Sequence, residues 1–186
     1  NINQFGALAM AGCGSYSKIE GFGFIPVTCF SQALTTFIGQ NLGAKEYDRT
    51  KKGALFGTIC GIGIAEVIGI AVFFFSPYLI AAFGGDQKAI EYGIAEAHTI
   101  AFFYCLLAFS HCMAAIQRGA GRSIVPMFVM MIVWCGVRVT YISIVIRIIP
   151  VINVLYWAYP LTWFISSVIF LILFLKTDWI HGLEKQ

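Results

Sequence analysis

The chain of 186 residues carries too few charges for a water-soluble domain. Hydrophobic residues make up 59% of it, and Asp, Glu, Lys and Arg together only 11%, whereas soluble domains carry about 25% charged residues. The charges cluster and leave apolar stretches of about 20 residues, the length at which a helix crosses a hydrocarbon core of roughly 30 Å. The sequence therefore predicts an all-α polytopic membrane protein with about five transmembrane helices.

These five helices are predicted, in chain order, at 9–42, 53–75, 89–116, 125–149 and 154–175. The first contains Pro26 and would be about 50 Å long at 1.5 Å per residue, so a kink or an extension beyond the bilayer is expected. Ser76-Pro77 is predicted to end the second helix. Pro126 suits the first turn of the fourth.

The distribution of Lys and Arg predicts the orientation of the chain. One set of loops holds eight of them: Lys45, Arg49, Lys51, Lys52, Arg118, Arg122, Lys176 and Lys185. The other side has three, namely Lys18, Lys88 and Arg147, while Arg138 lies within a helix. The positive-inside rule then places the C-terminus in the cytoplasm and the N-terminus outside. Aromatic belts are expected at both interfaces, with Tyr156, Trp157 and Tyr159 at the outer one and Trp179 at the inner one.

The six cysteines are interpreted as small apolar residues within helices. They contain no CxxC pair, which argues against a zinc site or a disulfide framework. His98, Cys105 and Cys112 share one helix face, but consecutive members are about 10.5 Å apart along the axis, too far for one metal ion. No metal site is predicted.

A polar stripe runs down the first predicted helix. At about 100° per residue, Glu20, Thr28, Ser31 and Thr35 fall within about 80° of one another, and Gln32 lies beside them. One interpretation is the wall of a water-accessible substrate cavity. The alternative is that the hydroxyls bond to their own backbone while Glu20 snorkels to the outer surface.

The second predicted helix carries small residues at a strict spacing of four. This pattern lets helix backbones approach closely, so a packing role is favoured. Its members are Gly53, Gly57, Gly61, Ala65 and Gly69. Glu66 lies in the same helix and is either a proton or cation site or a paired structural carboxylate.

Charged residues within membrane spans cost about 2.5–3.5 kcal/mol each on insertion scales and so call for a functional or structural reason. Glu96 and His98 in the third helix are candidates for ion coupling, although a hydrogen-bonded interfacial histidine is the alternative for His98 and also for His111. Arg138 shares a face with Trp134 and Tyr141, which favours either a structural cation–π clamp or a place on the substrate path. No catalytic motif such as HExxH, a P-loop or a nucleophile elbow is present, so an enzyme is not predicted.

Two glycine-containing phrases lie at the ends of predicted helices. Gly39-Gln40-Asn41-Leu42-Gly43-Ala44, followed by a basic loop, resembles the phrase with which the multidrug and toxic compound extrusion (MATE) transporters end one of their helices. Arg118-Gly119-Ala120-Gly121-Arg122-Ser123 with Pro126 looks like the turn after the tenth helix of the family. The resemblance covers essentially all of residues 1–186 as helices eight to twelve.

The resemblance implies one six-helix lobe of a twelve-helix transporter, here the C-terminal lobe without its N-terminal partner lobe. A sequence that opens on Asn1 with an odd helix count fits that interpretation. Members export bulky cationic or amphipathic compounds by alternating access, driven by Na⁺ or H⁺, so a small amphipathic or cationic substrate and the lipid bilayer are the expected partners. No cofactor beyond the coupling ion, and no nucleic acid, is expected.

The sequence departs from the family at one expected cation site. Counting back from Gly119 places Leu107 where some members have an acidic residue, and Phe103 where they have a tyrosine. A cation-coupled antiporter of the plasma membrane remains the leading hypothesis. A lipid-linked saccharide flippase of the same superfamily is the alternative, although it would call for more embedded cationic residues than Arg138. A polytopic membrane enzyme is a third.

Overall fold

The computed structural model of the chain describes residues 2–180, and the order of its helices agrees with the predicted spans. A short 3₁₀ segment, Ile2–Phe5, precedes α1 (Ala7–Gly43) and α2 (Tyr47–Ala82). The third span is formed by α3 (Gln87–Ile100), a 3₁₀ turn (Ala101–Phe103) and α4 (Tyr104–Gly119). The fourth is formed by α5 (Ile124–Met130), a π-helical turn (Met131–Val137) and α6 (Arg138–Ile148), and the fifth is α7 (Asn153–Lys176).

All five spans are long and apolar enough to cross a membrane. No strand occurs among residues 2–180. The all-α polytopic fold class is thereby confirmed. The third span is central, since α4 packs against α1, α2 and α7, and it is also the most buried of the five.

The predicted end of the second helix at Ser76-Pro77 is wrong, because α2 continues through Pro77 to Ala82. A proline within a helix frees the carbonyl four residues earlier, which here belongs to Phe73. That carbonyl accepts a hydrogen bond from Nε2 of His98 at 3.1 Å and another from the Ser76 hydroxyl at 3.2 Å. Side chains thus satisfy the freed carbonyl, as a helix within a membrane requires.

The start of the second helix also differs from the prediction. Residues 44–52 are predicted as a charged loop, but α2 already begins at Tyr47 and the connection is a tight turn. Lys45 adopts a left-handed conformation with φ of 59°, and the Glu46 amide donates to the Asn41 carbonyl over 2.9 Å. Four of the six charged residues of this segment, Asp48, Arg49, Lys51 and Lys52, therefore lie on the first two turns of a helix.

Candidate functional site

A cavity of about 230 Å³ lies between the first, third, fourth and fifth spans. Most of its lining is aromatic or apolar, and the charged exceptions are Glu20 from α1 and Arg138 from α6. The other lining residues are Ser17, Gly21, Phe24, Leu107, Trp134, Tyr159 and Trp163. A concave apolar site with a few convergent polar groups is the usual form of a small-molecule site.

Arg138 is held at this cavity by contacts to α7 and to its own span. Its Nη2 donates a hydrogen bond to the Thr162 hydroxyl at 2.8 Å. The guanidinium lies 4.3 Å from the ring centre of Tyr159 and 5.9 Å from that of Trp134. Nε is buried without a hydrogen-bond partner among the described residues. The side chain therefore has an N–H donor still free to bind another group, and its charge is stabilised by cation–π contacts with two aromatic rings.

The same arginine also borders a second cavity of about 290 Å³, which contains Glu96. Glu96 is only 4% exposed, and its Oε2 has no hydrogen-bond partner within residues 2–180. Its other neighbours at this cavity include Tyr156 and Tyr159 of α7. Arg138 thus has a carboxylate in the cavity on each side of it, Glu20 in the first and Glu96 in the second.

The predicted polar stripe of α1 is divided by the structure. The hydroxyls of Thr28, Ser31 and Thr35 donate to the carbonyls of Ile25, Thr28 and Ser31 respectively, at 2.8, 3.0 and 3.0 Å. Gln32 is exposed on another face. Of the stripe, Glu20 alone lines the first cavity. The hydroxyls thus bond to their own backbone, as hydroxyls in an apolar helix readily do, and a role of Glu20 in a substrate cavity stays a prediction.

The three predicted ion-coupling residues do not converge. Glu66 lies on α2, where it approaches the thiol of Cys105, and its Oε2 is buried without a hydrogen-bond partner among the described residues. His98 is exposed and stacks on Phe73 with ring centres 4.3 Å apart, on the face of α3 that meets α2. Glu96, two residues earlier, points to the opposite side because two residues turn a helix by about 200°.

The small-residue stripe of α2 lies against neighbouring helices. A Cβ at Gly57 would come within 2.7 Å of Leu34 and one at Gly61 within 2.6 Å of Cys112 Sγ. A Cβ at Gly53 would collide with Phe37, and one at Gly69 would collide with the Ala101 carbonyl oxygen. Ala65, the remaining member, is 1% exposed. Contacts this short leave room for hydrogen but not for a methyl group.

The two phrases that resemble the transporter family meet in space. A Cβ at Gly39 would lie 3.4 Å from the Gly119 carbonyl oxygen, and one at Gly119 would lie 2.6 Å from the Thr35 carbonyl oxygen. Asn41 is buried and donates from Nδ2 to the Phe37 carbonyl at 2.7 Å. Gln40 is exposed, and α1 ends at Gly43 with Ala44 as the capping residue. Gly39 and Gly119 therefore lie at one close α1–α4 crossing.

The aromatic residues of α7 are placed differently from the prediction. Of the three residues expected in an outer belt, Trp157 is exposed, whereas Tyr156 is buried and Tyr159 lines both cavities. Tyr156 and Tyr159 are three residues apart and share a face, whereas Trp157 does not. The Tyr156 hydroxyl donates to the Tyr92 carbonyl at 3.2 Å. Trp179 is also buried and stacks on Phe174.

Tyr141 was expected beside Arg138 but borders a different surface depression, with Thr140 and Ile144. The aromatic contact to Arg138 that was predicted for Tyr141 is made by Tyr159 of α7. Trp163 and Thr162 were likewise missed as neighbours of the site, because no spacing within one helix indicates which residues of another helix will face it. His111 lies between the rings of Phe24 and Trp134, with centres 4.8 and 5.4 Å away.

No cluster of three or more His, Cys, Asp or Glu side chains that could hold a metal ion occurs in residues 2–180. The six cysteines are unpaired. The charged groups at the cavities are thus two carboxylates and one guanidinium on separate helices.

The profile of the MatE family matches residues 2–144. Probable multidrug resistance protein NorM of Thermotoga maritima is 29% identical over 130 residues, which are 69% of this chain and 28% of that protein. Probable multidrug resistance protein YoeA of Bacillus subtilis is 23% identical over 138 residues, or 74% of this chain and 30% of that protein. The chain thus spans less than a third of the length of these curated relatives.

The fold is shared with a solved structure, the MATE transporter ClbM in complex with Rb⁺. The two superpose with a TM-score of 0.84 at 17% identity, over 95% of this chain and 42% of that one. At an identity this low, the superposition shows a common fold and no more. The family profile covers well over half of the residues. Five helices are long and apolar enough to cross a membrane. The chain is a multi-pass membrane protein that belongs to the MatE family.

Proposed function

We propose that this chain forms one wall of the substrate cleft of a cation-coupled antiporter, which exports cationic or amphipathic compounds by alternating access. The two cavities that share Arg138 carry the proposal. The curated relatives are named as multidrug resistance proteins, which supports a transport role over catalysis. The remaining wall would come from the other lobe of the complete transporter, and the plasma membrane would be its location.

Charge placement supports a functional cavity over a merely structural one. Glu20, Glu96 and Arg138 all lie within spans, where each charge costs about 2.5–3.5 kcal/mol on insertion scales. The spans that carry them are apolar enough to cross a membrane, and aromatic rings complete the first cavity. Aromatic faces bind organic cations and flat hydrophobic groups, while a carboxylate selects positive charge.

The pair of carboxylates supports coupling by competition. A carboxylate in a low-dielectric site binds a proton, an Na⁺ ion or the positive charge of a substrate, but it cannot neutralise two of them at once. Occupation of Glu20 by the coupling ion would therefore release a cationic substrate. Such mutual exclusion is what antiport requires. His98 has less support as a coupling residue, since it is bonded to the Phe73 carbonyl.

The test is ethidium efflux from cells that express the complete gene product, with Na⁺ and pH gradients varied separately. Efflux that collapses with one gradient would establish an antiporter and identify its coupling ion. Glu20→Gln keeps the shape of the side chain and removes its charge, so efflux should fall roughly tenfold or more. Glu91→Gln, an exposed acid outside both cavities, is the matched control and should retain efflux.

Two results would contradict this proposal. Unchanged efflux in Glu20→Gln would remove the cavity from the substrate path. Absence of efflux under every gradient, with membrane insertion confirmed, would favour the lipid-linked saccharide flippase, whose anionic substrate would be met by Arg138.

A further inference from the structure

A second concave surface, remote from both cavities at Arg138, lies between α2 and α7. This groove has a volume of about 490 Å³ and an almost wholly apolar lining. Its floor is formed by Phe109 and Met113 of α4, which packs against both α2 and α7. Its walls are formed by Ala54, Leu55 and Thr58 on one side and by Leu171, Phe174, Leu175, Trp179 and Ile180 on the other.

The groove is suited to hydrocarbon. The Thr58 hydroxyl, its one polar group away from the mouth, already donates to the Ala54 carbonyl at 2.8 Å. An apolar cavity does not hold ordered water, because water there lacks hydrogen-bond partners. Leu55 and Leu175 on opposite walls are 66% and 74% exposed, so the groove opens sideways toward the bilayer. From Lys51 to Thr58 it extends about 10.5 Å along α2 at 1.5 Å per residue.

Its mouth is positively charged. Lys51 lines the groove at the start of α2 and is exposed, so its ammonium group is available at the water interface. This end of the bundle contains seven described Lys and Arg residues against three acidic ones. The basic residues are Lys45, Arg49, Lys51, Lys52, Arg118, Arg122 and Lys176, and the acidic ones are Glu46, Asp48 and Asp178. Anionic headgroups are attracted to basic clusters beside membrane spans.

We propose that this groove is a binding site for an anionic phospholipid, with one acyl chain along the α4 floor and the phosphate at Lys51. The apolar lining selects a hydrocarbon chain, and the basic mouth selects a headgroup of net negative charge. Trp179, stacked on Phe174 with ring centres 5.2 Å apart, lines the groove beyond the end of α7, and tryptophan favours the membrane interface. The proposal is independent of what the protein transports.

The test is native mass spectrometry of the complete gene product, released from nanodiscs of equal phosphatidylglycerol and phosphatidylcholine with identical acyl chains. Retention of phosphatidylglycerol over phosphatidylcholine is expected. Lys51→Ala should reduce that preference about five-fold, the contribution of one basic residue near a membrane surface. Lys52→Ala removes the same charge one residue away, outside the groove lining, and should leave the preference nearly unchanged.

A second pair of variants tests the groove itself. Leu175→Trp fills the groove from its exposed wall and should reduce retention of both lipids, whereas Ile172→Trp, exposed but not part of the lining, should not. Equal retention of the two lipids, or equal effects of the two lysine variants, would overturn the anionic specificity. A dimer without bound lipid would overturn the proposed site and indicate that a second copy of the protein occupies the groove. Lipid retention that is unchanged by Leu175→Trp would also overturn it and indicate that the groove holds no lipid.

Discussion

Arg138 shows how a cation is accommodated within a membrane span when no carboxylate of residues 2–180 lies at bonding distance. Its guanidinium has a hydroxyl acceptor in Thr162 and the faces of Tyr159 and Trp134. Guanidinium is weakly hydrated and planar, so aromatic faces replace part of its water shell. Lysine could not make the same contacts, because its compact ammonium group is strongly hydrated.

Thr162→Val removes the hydroxyl that accepts from Arg138 and keeps the shape of the side chain. A hydrogen bond to a charged group contributes about 1.5–3 kcal/mol, so the free energy of unfolding should fall by that amount. Thermal unfolding of the purified complete gene product in detergent would measure it. Thr99→Val is the control, since that hydroxyl bonds to the Ala95 carbonyl of its own helix. Equal effects of the two substitutions would show that the Thr162–Arg138 bond adds no stability.

Among the helices, α2 carries two sequence signals, a spacing of small residues and a proline, and only the first agrees with the structure. Its spacing of small residues correctly indicates close approach, since Gly57, Gly61 and Gly69 are buried. Its proline signal misleads, because local preference cannot anticipate that His98, distant in sequence, will bond to the freed Phe73 carbonyl. The freed carbonyl there has both a local donor in Ser76 and a tertiary one in His98.

Gly69→Ala should destabilise the protein, since the added methyl group would collide with the Ala101 carbonyl oxygen in the 3₁₀ turn between α3 and α4. Overpacking of this kind costs about 1–3 kcal/mol. Gly63→Ala lies on the same helix with nothing within 4 Å of the new Cβ. It should instead stabilise by about 0.5–1 kcal/mol, because alanine favours helix over glycine. Thermal unfolding should show a lower stability for Gly69→Ala and a higher one for Gly63→Ala. Changes of the same sign in the two variants would contradict the packing argument.

The fourth span contains a feature that periodicity did not indicate. Residues Met131–Val137 form a π-helical turn between α5 and α6. Such turns occur often at functional sites, since the extra residue redirects the side chains that follow. Trp134 and Arg138 both face α7, where the Trp134 indole donates to the Ser166 hydroxyl at 3.3 Å. The expectation that Tyr141 joins them failed.

For the whole molecule, the predicted charge asymmetry between the two ends of the bundle is present in the described residues. The α1–α2 turn, the α4–α5 turn and the end of α7 share one end, as the contact of Gly39 with Gly119 and the hydrogen bond of Arg122 to the Asp178 carbonyl indicate. These segments carry seven of the eight residues counted as cytoplasmic. The eighth, Lys185, lies outside residues 2–180. Which end faces the cytoplasm stays a prediction.

That prediction can be tested with single cysteines at the two ends. Lys88→Cys lies on the predicted outer side and Lys52→Cys on the predicted inner side, and both positions are exposed. A membrane-impermeant maleimide added to intact cells should label the first and spare the second until the cells are opened. The unsubstituted protein measures labelling of its six native cysteines. The reverse pattern would contradict the positive-inside assignment.

The sequence by itself determined the membrane class, the number of spans and the family, because hydropathy, length and short glycine phrases are local properties of the chain. It also indicated Glu20, Glu96 and Arg138, since charges within apolar stretches are conspicuous. Only the tertiary structure decided that Arg138 borders both carboxylate cavities, that Tyr159 and Thr162 hold it, and that α2 passes through Pro77. Each of these depends on which faces of separate helices meet, and that depends on packing between helices.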